Sequence, residues 1–208
     1  MLAETRYLLP IPAGISVEQA APLLCAGIVG YRALKRAEIK PGERVGLFGF
    51  GASAHLMIQV LRYWGCEVAV YTRSAGHKKH AQDLGATWVG APSQNSGAFL
   101  DKAIVFAPAG EVVIHALKAI RPGGIVSINA IHMSDIPSFP YASLWGEREL
   151  RSVANATYQD GVEFFALAER AGLKSTVQNY ALDEVNRALE DMKHSRFNGE
   201  AILDVRRK

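Results

Sequence analysis

The sequence predicts an α/β protein built on a doubly wound parallel sheet. Three observations lead there. From Val45 onward, short apolar runs of strand length alternate with amphipathic stretches of helix length. Turn residues mark the changes of type, at Lys40-Pro41-Gly42-Glu43, Gly49-Phe50-Gly51, Gly65, Gly85 and Pro122-Gly123-Gly124. Finally, Arg44 to Leu56 reads as strand, glycine turn and helix, and the next strand, Glu67 to Thr72, arrives about 20 residues later, as a βαβ unit requires.

The elements follow in order. Leu8 to Gly14 is extended and proline-rich. Ser16-Val17-Glu18-Gln19 is a capping-box pattern that opens a helix, which Pro22 interrupts. A second helix is expected from about Leu24 to Ala37, with Ile28, Tyr31 and Leu34 at helical spacing. Val45 to Phe48 is the first strand, and a helix runs from Ala52 to about Trp64. Val68 to Tyr71 is the second strand, Gly76 to Leu84 a short polar helix, and Thr87 to Val89 the third strand. Ala103 to Phe106 and Ile125 to Asn129 are the fourth and fifth strands, separated by a helix over Val112 to Ile120. Leu150 to Val153 is a sixth strand. Thr157-Tyr158-Gln159-Asp160 is another capping box, opening a helix that Gly172 ends. Ser175 to Tyr180 and Ala201 to Val205 read as strands around a helix capped by Asp183, with Val185, Ala188, Leu189 and Met192 on one face.

Composition narrows the function classes. The chain has 208 residues, 49% hydrophobic and 21% charged, which argues against disorder and allows a large core. The formal net charge is +3, and the one basic cluster, Arg206-Arg207-Lys208, reads as a solvated tail, so no nucleic-acid partner is expected. Cys25 and Cys66 make no disulfide framework, which points to a reducing, cytoplasmic location. No apolar run reaches membrane-spanning length, and the first residues, with Glu4 and Arg6, lack a signal peptide's apolar core, so no membrane partner is expected either.

The glycine turn suggests chemistry. Gly49 turns the chain, Gly51 lets backbone approach a pyrophosphate, and the helix opened by Ala52 and Ser53 offers N–H groups and a positive dipole end. Ala54 replaces the third glycine of the G-x-G-x-x-G pattern and still allows close packing. Taken alone, the motif is as compatible with an ordinary βα turn; its βαβ context favours a dinucleotide.

Several stretches together resemble the medium-chain, zinc-dependent alcohol dehydrogenases. They are Ala20-Ala21-Pro22-Leu23-Leu24-Cys25-Ala26-Gly27, Gly30-Tyr31-Arg32-Ala33-Leu34, Pro41-Gly42-Glu43-Arg44-Val45, Gly49 to Leu56, Leu84-Gly85-Ala86 and Arg121-Pro122-Gly123-Gly124. In that family a Rossmann nucleotide-binding domain follows a catalytic domain on a co-chaperonin-like barrel. The resemblance implies a remnant of the catalytic domain over 1–24, the nucleotide-binding domain over 25–171, and a C-terminal return to the catalytic domain over 172–208. It places the last catalytic zinc ligand at Cys25, Ala107 and Pro108 near the adenine–nicotinamide crevice, and Asn129 and Ala130 beside the nicotinamide amide. Val29 stands where the family often has threonine, and Phe197-Asn198-Gly199-Glu200 lacks the arginine that the family often places against the pyrophosphate.

A catalytic zinc needs three protein ligands, and no Cys-His-Glu set precedes Cys25, so a free thiol is expected there and zinc only in the complete family enzymes. His77 and His80 sit beside Lys78 and Lys79 and read as a solvated face, while His55 reads as local packing or a hydrogen bond. At the end of the second strand, where a carboxylate would select NAD, stand Thr72, Arg73 and Ser74, with Lys78 a turn later. Arg73 and Ser74 can hold a 2′-phosphate, which favours NADP; Arg73 stacked on adenine would leave NAD as the alternative. The expected function is the cofactor-binding part of an alcohol–aldehyde oxidoreductase, silent as this chain alone and self-associating through unpaired strand edges and apolar faces. A non-catalytic dinucleotide-binding or regulatory module, or a zinc-independent quinone or enoyl reductase, is the alternative.

Overall fold

In a computed structural model, which describes residues 4–206, six parallel strands form one sheet. The readings that touch Met1, Arg207 and Lys208 lie outside the described residues. The strands are β1 (Arg44–Phe48), β2 (Glu67–Tyr71), β3 (Trp88–Gly90), β4 (Leu100–Val105), β5 (Ile120–Ile128) and β6 (Glu149–Ser152), in the order β3-β2-β1-β4-β5-β6. Strand order reverses between β1 and β4, and a crevice opens beyond the carboxyl ends of that pair.

The strands are apolar almost throughout because helices cover both faces. On one face lie α1 (Val17–Pro22), α2 (Ile28–Arg36), α3 (Ala52–Tyr63) and α6 (Tyr158–Ala171), whose Leu34, Leu56 and Phe164 join Val45, Leu47 and Val70 in one core. A Cβ built on Gly30 would stand 2.8 Å from Met57 Cγ, so the glycine lets α2 and α3 approach closely. The short α4 (Ala75–Asp83) follows β2 and contributes buried Ala81 to the same core. On the other face, α5 (Gly110–Ala119) packs Val113, Ala116 and Leu117 on Phe48, Leu100 and Val126. There the rings of Phe48 and Tyr71 stack with centroids 4.0 Å apart.

Three local readings are corrected. Pro22 does not interrupt the helix: residues 17–36 are continuous, with Pro22 as the last residue of α1 and a π-helical stretch, Leu23–Gly27, joining it to α2. The fifth strand begins at Ile120, which pairs with Leu100, and a register shift lets Arg121 to Gly124 remain in the strand. Asp183 is not a cap. A 3-10 turn, Leu182–Glu184, precedes α7 (Val185–Lys193), and it is Glu184 Oε2 that accepts from the Ala181 N–H at 3.0 Å.

Of the two capping boxes, the Thr157–Asp160 box closes in both directions, and Gly172 ends α6 with φ 61°. Ser16 Oγ accepts from the Gln19 N–H, but the Gln19 side chain is used elsewhere. Its amide accepts from the Ser175 N–H at 2.6 Å and donates to the Ser175 carbonyl at 3.0 Å. Gln59 repeats the device on Lys174 at 2.9 Å in both directions. These two glutamines hold residues 174–175 as a neighbouring strand would. Beyond them β7 (Val177–Ala181) and β8 (Glu200–Asp204) pair in parallel as a separate two-stranded sheet, each satisfying one edge of the other. Of the apolar face expected on α7, Ala188 is buried, whereas Val185, Leu189 and Met192 are exposed.

Candidate functional site

The carboxyl ends of the central strands converge on one cleft of about 890 Å³. Backbone bonds prolong each strand into it. The Gly49 N–H donates to the Tyr71 carbonyl, the Phe106 and Ala107 N–H groups to Phe48, Thr72 to Gly90, and Asn129 to Val105. The turn after β1 forms the floor. Gly49 has φ 95°, and a Cβ on it would lie 2.7 Å from the Ala107 backbone nitrogen, so only glycine allows β1 and the β4–α5 turn to come together. A Cβ on Gly51 would meet no protein atom within 4 Å; what it would obstruct is the cleft itself. Gly51 gives α3 no side-chain cap, and the helix has no acidic residue in its first turn. Its leading N–H groups and dipole are thereby left available to an anion.

Of the residues singled out from sequence, Gly49, Gly51, Ala52, Ser53, Thr72, Arg73, Ser74, Ala107, Pro108 and Asn129 all line this cleft. Lys78, Ala130 and Cys25 do not line it. Lys78 lies on α4 beyond the first turn, and Ala130 follows the cleft-lining Asn129. Cys25 is exposed on the π-helical stretch. Among the described residues no group of three or more His, Cys, Asp or Glu side chains could hold a metal ion. The donor set therefore does not fit a catalytic zinc. Cys66 is buried, its thiol pushed up by burial.

His55 plays the structural part expected of it. It is fully buried, with Nδ1 2.5 Å from the Ala52 carbonyl, and Nε2 accepts from the Thr176 N–H at 3.1 Å. These bonds require the neutral tautomer protonated on Nδ1. Burial lowers its pKa to about 4. His80 lies 3.1 Å from Thr176 Oγ1 and packs edge-on against Phe50, so it too joins the C-terminal segment to the sheet domain. Its pKa falls through burial and the neighbouring His77.

His77 departs from its reading as a solvated residue. It is half-buried and lines the cleft. The sequence also gave no role to Ala91, Pro92 and Ser93 after β3, to Glu111 and His115 of α5, or to Ser195 of the C-terminal unit, all of which line it. The signal for the first three was their place just past a strand's carboxyl end; for His77 it was position three after the cap residue Ser74. Nothing local marks Ser195.

A parallel sheet in this order, with a glycine turn at its switch point, defines the Rossmann class of α/β fold. No family model matches the chain. It is 44% identical over 194 residues to a probable alcohol dehydrogenase, AdhA, of Mycobacterium tuberculosis, covering 93% of this chain and 56% of that protein. The solved acetophenone reductase of Geotrichum candidum, in complex with NAD, superposes with a TM-score of 0.84 at 21% identity, covering 94% of this chain and 58% of that one. The CAD of Helicobacter pylori, complexed with NADP(H), gives 0.80 at 21% identity over 92% of this chain and 56% of that one. The resemblance to the nucleotide-binding and C-terminal part of medium-chain alcohol dehydrogenases is thus shown across nearly the whole chain. The chain spans 56–63% of the length of the first curated relatives it matches. Among its described residues no helix is long and apolar enough to cross a membrane.

Proposed function

We propose that the chain binds a nicotinamide dinucleotide in the 890 Å³ cleft, NADP(H) in preference to NAD(H), as the cofactor-holding part of an alcohol–aldehyde oxidoreductase. The observation that supports this most is the Gly49–Ser53 turn at the switch point, leading into an uncapped helix, with Arg73 rather than a carboxylate at the end of β2. In this reading the N–H groups of the turn bind the pyrophosphate. Thr72, Arg73 and Ser74 hold the adenosine ribose and its 2′-phosphate, with Lys78, on α4 outside the cleft lining, adding positive charge. Ala107 and Pro108 flank the rings, and Asn129 and Ala130 present backbone to the nicotinamide amide. Bound there, the nicotinamide would supply the hydride acceptor or donor; the protein's share is to orient it and keep water away. The domain limits at residues 24/25 and 171/172, a cytoplasmic location and self-association through the segments Tyr7 to Ile15, Val177 to Tyr180 and Ala201 to Val205, on which Tyr7, Leu8, Ile11, Leu203 and Val205 are exposed, belong to the same reading.

No step is assigned to zinc, because among the described residues Cys25 belongs to no group of three His, Cys, Asp or Glu side chains that could hold a metal. A second reading, resting on the same Gly49–Ser53 turn and cleft, is a dinucleotide-binding module with no turnover of its own. Either way the cofactor preference is testable. Titration of nicotinamide fluorescence should give tighter binding of NADPH than of NADH, and Arg73→Ala should weaken NADPH alone by roughly tenfold, the worth of a charge-assisted hydrogen bond. Equal affinities, or a preference for NADH that Arg73→Ala leaves unchanged, would overturn the NADP(H) assignment.

A further inference from the structure

The corner of the cleft at the start of α4 is walled from two sides. On one side, Ser74 Oγ caps the helix by accepting from the His77 N–H at 3.3 Å, and His77 lines the cleft together with Arg73 and Ser74. On the other side is the turn after α7. Ser195 lines the same cleft with φ 51°, the left-handed region that non-glycine residues rarely adopt. A Cβ built on Gly76 would lie 3.7 Å from Asn198 Oδ1 and 3.8 Å from Ser74 Oγ, so the two walls meet over the first turn of α4. The binding scheme above uses neither His77 nor Ser195.

We propose that His77 is a specificity-determining residue whose imidazole binds the cofactor's 2′-phosphate together with Arg73, in a subsite that Ser195 closes. The inference rests on the NADP(H) reading. Burial lowers the His77 pKa below its usual value, so near neutral pH the ring by itself is uncharged. A phosphate dianion within hydrogen-bonding reach stabilises the charged ring, so binding draws a proton onto His77. Arg73 and Lys78 of the same connection oppose that charge, as does any charge on His80, which Asp83 in turn favours. From α5, Glu111 favours it and His115 also lines the cleft, as does Tyr71 of β2, whose phenol burial keeps neutral. On the C-terminal turn, Arg196 is tied to Asp191 at 2.9 Å. The second pKa of a phosphate monoester is about 6, so at pH 7.5 the ligand is already mostly dianionic and releases little proton of its own.

Calorimetry at pH 7.5 in two buffers of different ionisation enthalpy tests this, with adenosine 2′,5′-bisphosphate and adenosine 5′-monophosphate as probes. The chain should prefer the bisphosphate and take up a fraction of a proton with it, but not with the monophosphate. His77→Ala should lower the preference by about tenfold and abolish the uptake. His77→Gln, which keeps a neutral donor, should recover most of the affinity but none of the uptake. A wild-type chain without preference for the bisphosphate would overturn the NADP(H) reading itself, and this inference with it. A preference that Arg73→Ala removes and His77→Ala leaves intact would overturn the role of His77 alone. Uptake that persists in His77→Gln would do the same, by placing the proton on another group such as His115.

Discussion

Replacing His55 by leucine would test how the C-terminal unit is fastened to the sheet domain. The substitution keeps an apolar body in a fully buried site but removes the acceptor for the Thr176 N–H. An unsatisfied buried donor costs about 1–3 kcal/mol. For a domain of this size that lowers the melting temperature by roughly 2–4 °C per kcal/mol, so a fall of about 4–8 °C is expected at pH 7.5 for a central value near 2 kcal/mol. The pH dependence is more diagnostic. Burial depresses the His55 pKa from 6.5 to about 4, so between those values the unfolded chain binds more protons than the folded one. The stability that neutral His55 contributes is complete above about pH 6.5 and is lost as pH falls toward 4, in total roughly 3 kcal/mol at 1.36 kcal/mol per unit. Glu200 acts in the opposite sense. Burial raises its pKa from 4.5 to about 7, so its term weakens the fold as pH rises through that window. The difference between wild type and His55→Leu cancels Glu200 and isolates the histidine. Urea denaturation by circular dichroism from pH 4 to 7.5 should show the wild-type advantage at neutral pH shrinking and then reversing toward pH 4. A difference constant across that range would refute the reasoning.

Three further outcomes follow from the packing and the donor inventory. A Cβ on Gly27 would lie within the contact distance of Phe164 Cε1, so Gly27→Val should destabilise by about 1–3 kcal/mol in thermal melts, and Phe164→Leu added to it should restore part of the loss. Asp160 is fully buried; burial pushes its pKa up, but the Thr157 N–H and hydroxyl and the Lys35 ammonium, 3.0 Å away, pull it below the usual carboxylate range. Asp160→Asn should therefore cost roughly 1–3 kcal/mol at neutral pH and remove a contribution that the wild type loses only on acidification through that lowered pKa, as chemical denaturation at pH 7 and pH 3 would show. Dialysed protein should hold far less than one zinc per chain by elemental analysis, and Cys25→Ser should leave that value unchanged; one tightly held zinc per chain would contradict the donor argument.

The sheet was legible because burial on both faces leaves a strong local record. Val45 to Phe48, closed by Gly49, and Val68 to Tyr71, between Glu67 and Thr72, are short apolar runs, and both are strands within a residue or so of where they were read. The Thr157–Asp160 box was equally plain because all its partners lie within four residues. What failed depended on distant partners. Gln19 has the spacing of a capping residue, yet it is drawn to Ser175, 156 positions away. Pro22 reads as a break because local rules hold no place for a π-helical continuation, here followed by a helix packed on α3 and α6. The cleft shows the same division. Residues on the strand ends, Gly49 to Ser53, Thr72 to Ser74 and Ala107, could be named from the βαβ pattern, whereas Ser195 enters it only through the docking of the C-terminal unit.

The most direct test of the account is a crystal structure of the chain with NADPH. The account places the pyrophosphate on the N–H groups of the Gly49–Ser53 turn, the adenosine 2′-phosphate beside Arg73, and the nicotinamide at Asn129. Cofactor density elsewhere on the chain, or a saturated crystal whose cleft excludes the dinucleotide, would contradict it.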